Sequence, residues 1–482
     1  MQNLPALITL IVYSGILFGI GFWAARKAKS QEDFLLGGRS LGPWVAGLAY
    51  AASSSSAWVL LGFSGFVYVA GPSALWMVPG IIAGYAAVWL WSGDVLQTAS
   101  RTANQLTLTD FLTQFAAPQS ARLVRILASV LIAICFSFYV AGQFQGAGIA
   151  IDDLFATGFA PGVLIGAVII LTYVFLGGFL AVSITDTIQG LLMALVAVLL
   201  PALAFFEAGG WAGLQQAMAS APETYADAFG GRAGFAALGF VLGLSATGFG
   251  ALGQPHLVAW IMATKDRSAR VKGACVAMTW AALVFAGMAV LGLSGRAIFG
   301  GEAAPEGVFF ALADDLLPGM LAGIVAAATL SAIMSTVDSQ LLVAGGAVSH
   351  DLGLGKAFGG REVLVSRAAI IIVCIAAVLL TFLAPSSIFQ RILFAWVALG
   401  AAFGPVVVAR TLGLKPSGAV VLTGMLTGFG LAVAYELGWI GSGPGAMWKT
   451  IAPWIGAFLA MTVISMAGKS RLSDELGLGA GD

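Results

Sequence analysis

Apolar stretches of about 20 residues recur along the whole chain, and this pattern constrains the fold more than any other feature of the sequence. Each stretch is long enough to cross the hydrocarbon core of a bilayer as a helix. Charged residues make up only 9% of the chain, whereas soluble domains carry about 25%. The short alternating segments of a membrane β-barrel are absent, and a helix satisfies its own backbone hydrogen bonds in lipid. The sequence therefore predicts an all-α integral membrane protein embedded in a lipid bilayer.

The apolar stretches predict 13 transmembrane spans. In chain order, spans 1 to 13 are residues 4–25, 44–70, 74–92, 124–149, 162–181, 186–207, 233–262, 273–295, 318–348, 367–385, 389–409, 416–437 and 449–468. With the N-terminus outside, the inner loops hold 18 basic residues and the outer segments hold four. Because basic residues collect in cytoplasmic loops, this bias predicts a multi-pass plasma-membrane protein with an outer N-terminus and a cytoplasmic C-terminus.

Composition and residue usage exclude several classes of function. The formal net charge is zero, which argues against a nucleic-acid partner. The three cysteines lie inside apolar spans, and the two histidines, His256 and His350, lie in separate regions. No metal-ligand cluster or catalytic constellation is recognisable, so we expect neither an enzyme nor an organic cofactor. Nothing in the sequence indicates an obligatory protein partner.

Spans 2 and 7 contain residues that weaken a helix. Span 2 carries four consecutive serines in YAASSSSAW, and span 7 carries four glycines, Gln254 and Pro255 in GLSATGFGALGQPH. Glycine weakens a helix, and proline removes a backbone donor. Paired interruptions at matching places in two halves are typical of the midplane site of secondary transporters. These residue types predict discontinuous helices at Ser53–Ser56 and Gly248–Gly253. Because the two interruptions lie five spans apart, they also predict a five-plus-five inverted repeat of spans 2–6 and 7–11.

Span 9 contains a polar sequence, LSAIMSTVDSQLL, in an apolar context. Ser335, Thr336 and Ser339 fall within about one helical turn and offer hydroxyl oxygens to a desolvated cation. Asp338 is an intramembrane carboxylate, which is costly unless it is paired or wet and therefore marks a functional position. Asp186, in SITDTIQG, is either functional or the N-cap of span 6. In the polar segment 93–123, Thr107 or Thr109 is expected to cap a short amphipathic helix.

Five segments of the chain resemble one known family. They are FLLGGRSLGPWVAGLAYAASSSSAW, LGGFLAVSITDTIQG, GQPHLVAWIMA, AIMSTVDSQLLV and GAAFGPVVV, and they run in order from about residue 34 to 410. Together they resemble the sodium:solute symporter family, in particular its proline-transporting subgroup. The resemblance implies the inverted-repeat fold, alternating access and sodium as the coupling ion.

The resemblance also implies roles for individual residues. The sodium site would comprise the carbonyls of Ala52, Ser55 and Ala332 with the hydroxyls of Ser335 and Thr336. Asp186 matches an acidic residue beside a second cation site, which would also involve Asp338 and Ser339. Arg39 matches a functionally sensitive inner arginine. The solute pocket would involve Ser54, Trp58, Tyr139, Thr247, Ala251, Gln254 and Pro255.

The chain departs from the proline subgroup at positions near these sites. Ser54 stands where the subgroup has an aspartate, and Asp338 stands where it has a serine. Thr247 and Ala251 replace an aromatic pair in span 7. One carboxylate is therefore lost and another gained, and the pocket should be roomier than in the subgroup.

The sequence thus predicts a symporter that couples sodium influx to the uptake of a small polar solute, such as the amino acid proline. Residues 1–43 would form the first span and inner loop, 44–410 the transport core, and 411–482 two peripheral spans and a short tail. One alternative is a proton-coupled symporter that uses Asp338, in which H⁺ replaces Na⁺. The other is a transporter-like solute sensor.

Overall fold

The computed structural model describes residues 4–25, 31–176, 178–384 and 386–475. Residues 26–30 of the first inner loop, which entered the charge count, lie outside this part of the chain, as do the residues after 475. Within the described residues the chain is helical, and its β pairing is one isolated bridge between Leu41 and Thr264. The predicted all-α membrane fold is confirmed.

Each predicted span coincides with a helix or with consecutive helical segments. Spans 1 to 6 are Leu4–Ala25; Pro43–Ala57, Trp58–Phe63 and Ser64–Ala70; Met77–Ala86, Ala87–Ser92 and Gly93–Thr102; Pro118–Phe155; Phe159–Leu176; and Phe179–Glu207. Spans 7 to 13 are Gly234–Ala246, Thr247–Gly253 and Pro255–Ala263; Arg267–Phe299; Gly319–Gly346 and Ala347–Asp351; Glu362–Leu383; Ile388–Thr411; Gly418–Glu436; and Trp448–Glu475.

The number of membrane crossings is a separate question from the number of helices. Ten helices among the described residues are long and apolar enough to cross a membrane. The first of them, 43–102, contains both span 2 and span 3, which meet at Gly71 with a φ of 61°. Spans 1 and 5 contain shorter apolar helices, Leu7–Trp23 and Phe159–Thr172. The count of 13 crossings therefore stays a prediction.

Span 2 is interrupted at one residue rather than across the whole serine run. Ser53 to Ser55 remain within the helix Pro43–Ala57, whereas Ser56 has a φ of 35° and a ψ of −175°. The Ser56 hydroxyl accepts the backbone N–H of Trp58 at 3.1 Å, and a π-helical segment, Trp58–Phe63, follows. The predicted discontinuity thus exists, at the C-terminal end of the predicted stretch.

Span 7 is interrupted after its glycines. A 3₁₀ segment, Thr247–Gly253, leads to Gln254, which is extended, and a new helix starts at Pro255. Gly248 lies so close to span 3 that an added Cβ would stand 1.8 Å from the carbonyl oxygen of Gly80. Glycine is therefore required here for close approach between two backbones.

Spans 9 and 11 form the centre of the helix bundle. In each, 83% of the most apolar 18-residue window is buried, compared with 22% in span 13. Span 9 packs against spans 1, 2, 4 and 6, while span 11 packs against span 4 and the interruption of span 7. Polar groups on spans 9 and 11 are thereby held away from lipid.

Two local expectations about polar residues have definite outcomes. Thr107 is the N-cap of the short helix Leu108–Thr113, and its hydroxyl accepts the Asp110 N–H at 3.1 Å. Asp186 is not an N-cap, because its helix begins at Phe179 and Gly178 occupies the capping position. The carboxylate therefore lies two turns inside a membrane helix.

Candidate solute and cation sites

Oxygen atoms from spans 2 and 9 converge beside the interruption of span 2. The Ser335 hydroxyl donates to the carbonyls of Ala52 and Ala332, each at 3.3 Å. The Thr336 hydroxyl donates to the carbonyl of Ser53 at 2.9 Å and to that of Ala332 at 3.1 Å. All five residues are fully buried. We call Ala52, Ser53, Ala332, Ser335 and Thr336 the neutral oxygen cluster, since it contains no charged group.

Ser55, the remaining residue expected at the sodium site, takes a different position in the network. Its carbonyl accepts the backbone N–H of Trp58 across the interruption. The contact that Thr336 makes with span 2 goes to Ser53 instead. Pattern matching thus identified four residues that meet and missed the carbonyl of Ser53.

The two intramembrane carboxylates lie next to each other. The carboxyl groups of Asp186 and Asp338 face each other within hydrogen-bonding reach, and both residues are fully buried. Tyr13 of span 1 hydrogen-bonds Ser331 and approaches Gln189. Ser339, expected at the same site, instead bonds the Ser53 hydroxyl at 2.6 Å. Two neighbouring carboxylates repel each other when both are ionised, so this pair requires a proton or a cation.

A narrow cavity lies beside the two interrupted helices, with about 20 Å³ of space for the centre of a water molecule. Four of the expected pocket residues line it: Ser54, Trp58, Tyr139 and Thr247. Six further residues complete the wall: Ile81, Tyr85, Phe285, Ile392, Leu393 and Trp396. The side chains of Ser54 and Tyr85 share a hydrogen bond at the edge of the cavity.

The other three expected pocket residues lie elsewhere. Gln254 is fully buried and donates through Nε2 to the carbonyl of Trp396 at 2.9 Å, so it supports the pocket wall. Ala251 is buried in the 3₁₀ segment and does not line the cavity. Pro255 lines a second cavity, together with Thr107, Thr109 and Asp351.

Tyr85 and Trp396 are the main residues that sequence reasoning missed. Tyr85 is the one aromatic residue in GIIAGYAAV of span 3, and Trp396 precedes several small residues in WVALGAA of span 11. Small neighbours allow the backbones to approach, and the isolated ring then fills the space between helices. This contrast in side-chain size could have identified the two residues, but only with knowledge of which spans pack beside them.

Arg39 lies in a polar network beside the N-terminal end of span 2. Its guanidinium donates to Glu32 at 2.7 Å and to the carbonyls of Ser100 and Gln105 at 3.1 and 3.0 Å. The arginine is 9% exposed, so these bonds replace most of its hydration. Arg39 therefore joins the segment before span 2 to the end of span 3.

A second charged group joins the helix Leu108–Thr113 to the end of span 9. The Nε2 atom of His350 lies 2.9 Å from the Asp110 carboxylate, and the Arg125 guanidinium lies 3.6 Å from the same carboxylate. Burial alone would raise the pKa of the Asp110 carboxyl, but its bonds to His350 and to the Leu106 N–H, with the Arg125 charge, hold that pKa below its ordinary value. Asp351 completes a group whose ligand atoms lie within 4.8 Å of one another. Because Arg125 already supplies positive charge, the group is an ion-pair network rather than a metal site.

The interrupted helices, the buried oxygens and the enclosed cavity define a membrane transporter with its candidate sites at mid-bundle. Residues 34–428 match the model of the sodium:solute symporter family. The chain belongs to this family. It is similar to the sodium/proline symporter of Escherichia coli (strain K12), with 32% identity across 97% of this chain and 94% of the relative. It is also similar to a high-affinity proline transporter of Bacillus subtilis (strain 168), with 30% identity across 95% and 97% of the two chains.

Solved structures share the fold at low sequence identity. A Na⁺-coupled sialic acid symporter in a substrate-bound, outward-open state has a TM-score of 0.78 and 16% identity, covering 96% of this chain and 98% of the other. A closed, ligand-bound transporter of the nucleobase-cation-symport-1 family has a TM-score of 0.59 and 13% identity, covering 91% and 95%. These similarities confirm a transporter fold.

Proposed function

We propose that the protein is a sodium-coupled symporter that imports a proline-like amino acid by alternating access. The observation that carries the proposal is the neutral oxygen cluster, which lies next to the interruption that leads to Trp58. Carbonyl and hydroxyl oxygens are the ligands that a hard cation accepts in place of water. The names of the relatives, which specify proline, support the class of solute.

Sodium would be held by the Ala52 and Ala332 carbonyls with the Ser335 and Thr336 hydroxyls. These groups come from two helices, so an ion between them favours the state in which spans 2 and 9 are close together. Trp58 follows the interruption and lines the cavity, so this arrangement would place its ring for the solute. Sodium and solute therefore bind more tightly together than apart, by a coupling free energy that is typically about 1–3 kcal/mol.

The pair of Asp186 and Asp338 supports a second site for a transported cation. A second sodium ion between the carboxylates would neutralise their repulsion, and so would a proton. The proton-coupled alternative rests on this pair. Transport driven by a pH gradient in sodium-free buffer, and lost in Asp338→Asn, would favour that alternative over sodium coupling.

The proposed route connects the cavity with the region around Arg39 and the second cavity beyond Pro255. With the N-terminus outside, this second cavity faces the cytoplasm, where the basic loops are concentrated. The solute would leave through it when the contact of Thr107 and Asp351, a hydrogen bond of 2.8 Å, opens. The protein would act in the plasma membrane without an organic cofactor or a chemical reaction.

Uptake into proteoliposomes tests this function. An inward sodium gradient should drive accumulation of radiolabelled proline, and an equal potassium gradient should not. Accumulation that does not depend on the sodium gradient would contradict sodium-coupled symport. Binding of proline that leaves the vesicle interior unlabelled would favour a sensor instead.

A further inference from the structure

The cavity beside the interrupted helices has a wall made largely of aromatic rings. Half of its ten lining residues are aromatic: Trp58, Tyr85, Tyr139, Phe285 and Trp396. Ile81, Ile392 and Leu393 add apolar surface, and Ser54 and Thr247 are the other polar members. Among the described residues, no Asp, Glu, Lys, Arg or His lines this cavity. A charged solute would therefore meet rings, hydroxyls and main-chain atoms, and no opposite charge.

Most polar atoms of this wall already have partners inside the protein. The Tyr85 hydroxyl bonds Ser54, and the Tyr139 hydroxyl approaches Ser56. The indole N–H of Trp396 donates to the Thr247 carbonyl at 2.8 Å. The acceptors that remain for the N–H donors of a solute are neutral hydroxyl and carbonyl oxygens, because no carboxylate lines the cavity.

The indole nitrogen of Trp58 is different. Trp58 is 6% exposed, and among the described residues its Nε1 atom has no hydrogen-bond partner. Its ring is stacked on Phe389 at 5.8 Å between centroids and meets Phe285 edge-on at 5.9 Å, which fixes its orientation. A buried N–H donor without a partner is costly and is well placed to receive an acceptor. It can bind one oxygen of a carboxylate.

These features discriminate among ammonium groups. A primary ammonium brings three N–H donors, which lose their water and find only neutral acceptors in this wall. A secondary ring ammonium brings two donors, and a quaternary ammonium brings none. Aromatic faces stabilise such alkylated cations through their quadrupoles without accepting hydrogen bonds.

We propose that the cavity selects zwitterions whose ammonium is alkylated, so that secondary ring and quaternary ammonium groups are preferred to primary ones, while Trp58 Nε1 binds the carboxylate. This inference rests on the proposed symport function and narrows its solute class. It extends that class beyond proline to N-methylated prolines.

Competition against sodium-driven proline uptake in proteoliposomes tests the selectivity. The competitors are valine, which is a primary amine with the same number of carbons as proline, N-methylproline and N,N-dimethylproline. N,N-dimethylproline should compete about as well as proline, and valine should compete at least about tenfold more weakly. Equal competition by valine, or no competition by either methylated compound, would overturn the proposal while leaving sodium-driven proline transport intact.

A pair of variants tests the contribution of one ring. Phe285→Leu removes an aromatic face and keeps apolar volume, whereas Phe285→Tyr keeps the ring. The ratio of the inhibition constants of valine and N,N-dimethylproline should fall several-fold in Phe285→Leu and stay at the wild-type value in Phe285→Tyr. An unchanged ratio in Phe285→Leu would remove that ring from the account. If a variant does not fold, as judged by its melting curve, the wild-type ranking of competitors still decides the proposal.

Direct binding separates this inference from the proposed function. If wild-type vesicles show no sodium-driven proline uptake, symport of proline fails, and the same four compounds are then compared in a thermal-shift assay with and without sodium. A larger shift with N,N-dimethylproline than with valine would support the selectivity of the cavity. A larger shift with valine, or no shift with any of the four compounds, would contradict it.

Discussion

The two interrupted helices are stabilised in different ways. At span 2, polar groups satisfy the interruption: Ser56 bonds the Trp58 N–H, and Gln143 accepts the Ala57 N–H at 3.1 Å. At span 7, close backbone packing does so, because an added Cβ on Gly84 of span 3 would lie 2.0 Å from the carbonyl oxygen of Gly248. The polar interruption of span 2 provides oxygen atoms that can bind an ion, whereas the closely packed interruption of span 7 fixes the positions of neighbouring helices. We therefore propose that span 2 binds the ion and that span 7 positions the cavity wall.

The largest expected effect concerns the oxygen atoms beside the polar interruption of span 2. Ser335→Ala and Thr336→Ala should each raise the sodium concentration for half-maximal uptake about tenfold, and the double variant about a hundredfold, because each removes one oxygen ligand. Sodium dependence of proline uptake measures this. Thr329→Ala is the matched control, since its hydroxyl donates within span 9 to Val325 at 3.1 Å. Wild-type sodium dependence in both single variants would show that the ion binds elsewhere.

The next effect concerns the packed side. Gly84→Ala should lower the free energy of unfolding by about 2 kcal/mol, because the new methyl group meets a backbone oxygen that cannot swing away. The melting temperature in detergent measures the change. Gly430→Ala in span 12, where nothing lies within 4 Å of the added Cβ, is the control. Equal melting temperatures for the two variants would contradict the close approach of spans 3 and 7.

A smaller effect compares one glutamine from each interruption. Gln143→Leu leaves the buried Ala57 N–H without its acceptor, which should cost about 1–2 kcal/mol and raise the sodium requirement. Gln254→Leu removes a donor from the Trp396 carbonyl in the cavity wall and should change proline affinity at an unaltered sodium requirement. Uptake measured against both sodium and proline separates the two results. If Gln254→Leu shifts the sodium requirement as much as Gln143→Leu, the division of roles between spans 2 and 7 is wrong.

The smallest effect lies at the end of span 9, the helix that contacts the span 2 interruption. Asp110→Asn weakens the bond to His350 and should lower stability by about 0.5–1 kcal/mol. Because the folded pKa of Asp110 is lowered, its contribution is present above the unfolded pKa and is lost as the pH falls through the folded value. The part of the difference between the wild-type and Asp110→Asn melting temperatures that is due to the Asp110 carboxylate should therefore stay constant from pH 8 to pH 5.

Glu223→Gln provides the control for Asp110→Asn, because Glu223 is an exposed carboxylate in the 208–232 loop. Its melting temperature should match that of the wild type. An Asp110→Asn variant as stable as Glu223→Gln at pH 7 would show that the bond to His350 contributes nothing measurable.

The sequence contained the interruptions and the polar turn of span 9 in readable form. Runs of serine, glycine and proline in apolar spans are local signals, and Ser335 and Thr336 follow from helical spacing alone. The position of the break within the serine run was less accessible, since it depends on Gln143 of span 4 accepting the Ala57 N–H. Tertiary contacts decide such details.

The pairing of Asp186 with Asp338 illustrates the same limit. Each carboxylate was recognisable as costly in lipid, but two predicted spans, 7 and 8, separate them in the sequence. Their contact requires spans 6 and 9 to pack side by side, which the structure shows. Likewise, Tyr85 and Trp396 became part of the cavity only when spans 3 and 11 were placed around the span 7 interruption.

The central claim is that sodium binds between spans 2 and 9 at the neutral oxygen cluster. A cryo-EM map of the protein in sodium chloride with proline tests it most directly. We predict a compact density peak bounded by the carbonyls of Ala52 and Ala332 and the hydroxyls of Ser335 and Thr336, with span 2 interrupted at Ser56. A map in which span 2 is wound continuously through Ser56, or in which the ion lies away from these oxygens, would contradict the account.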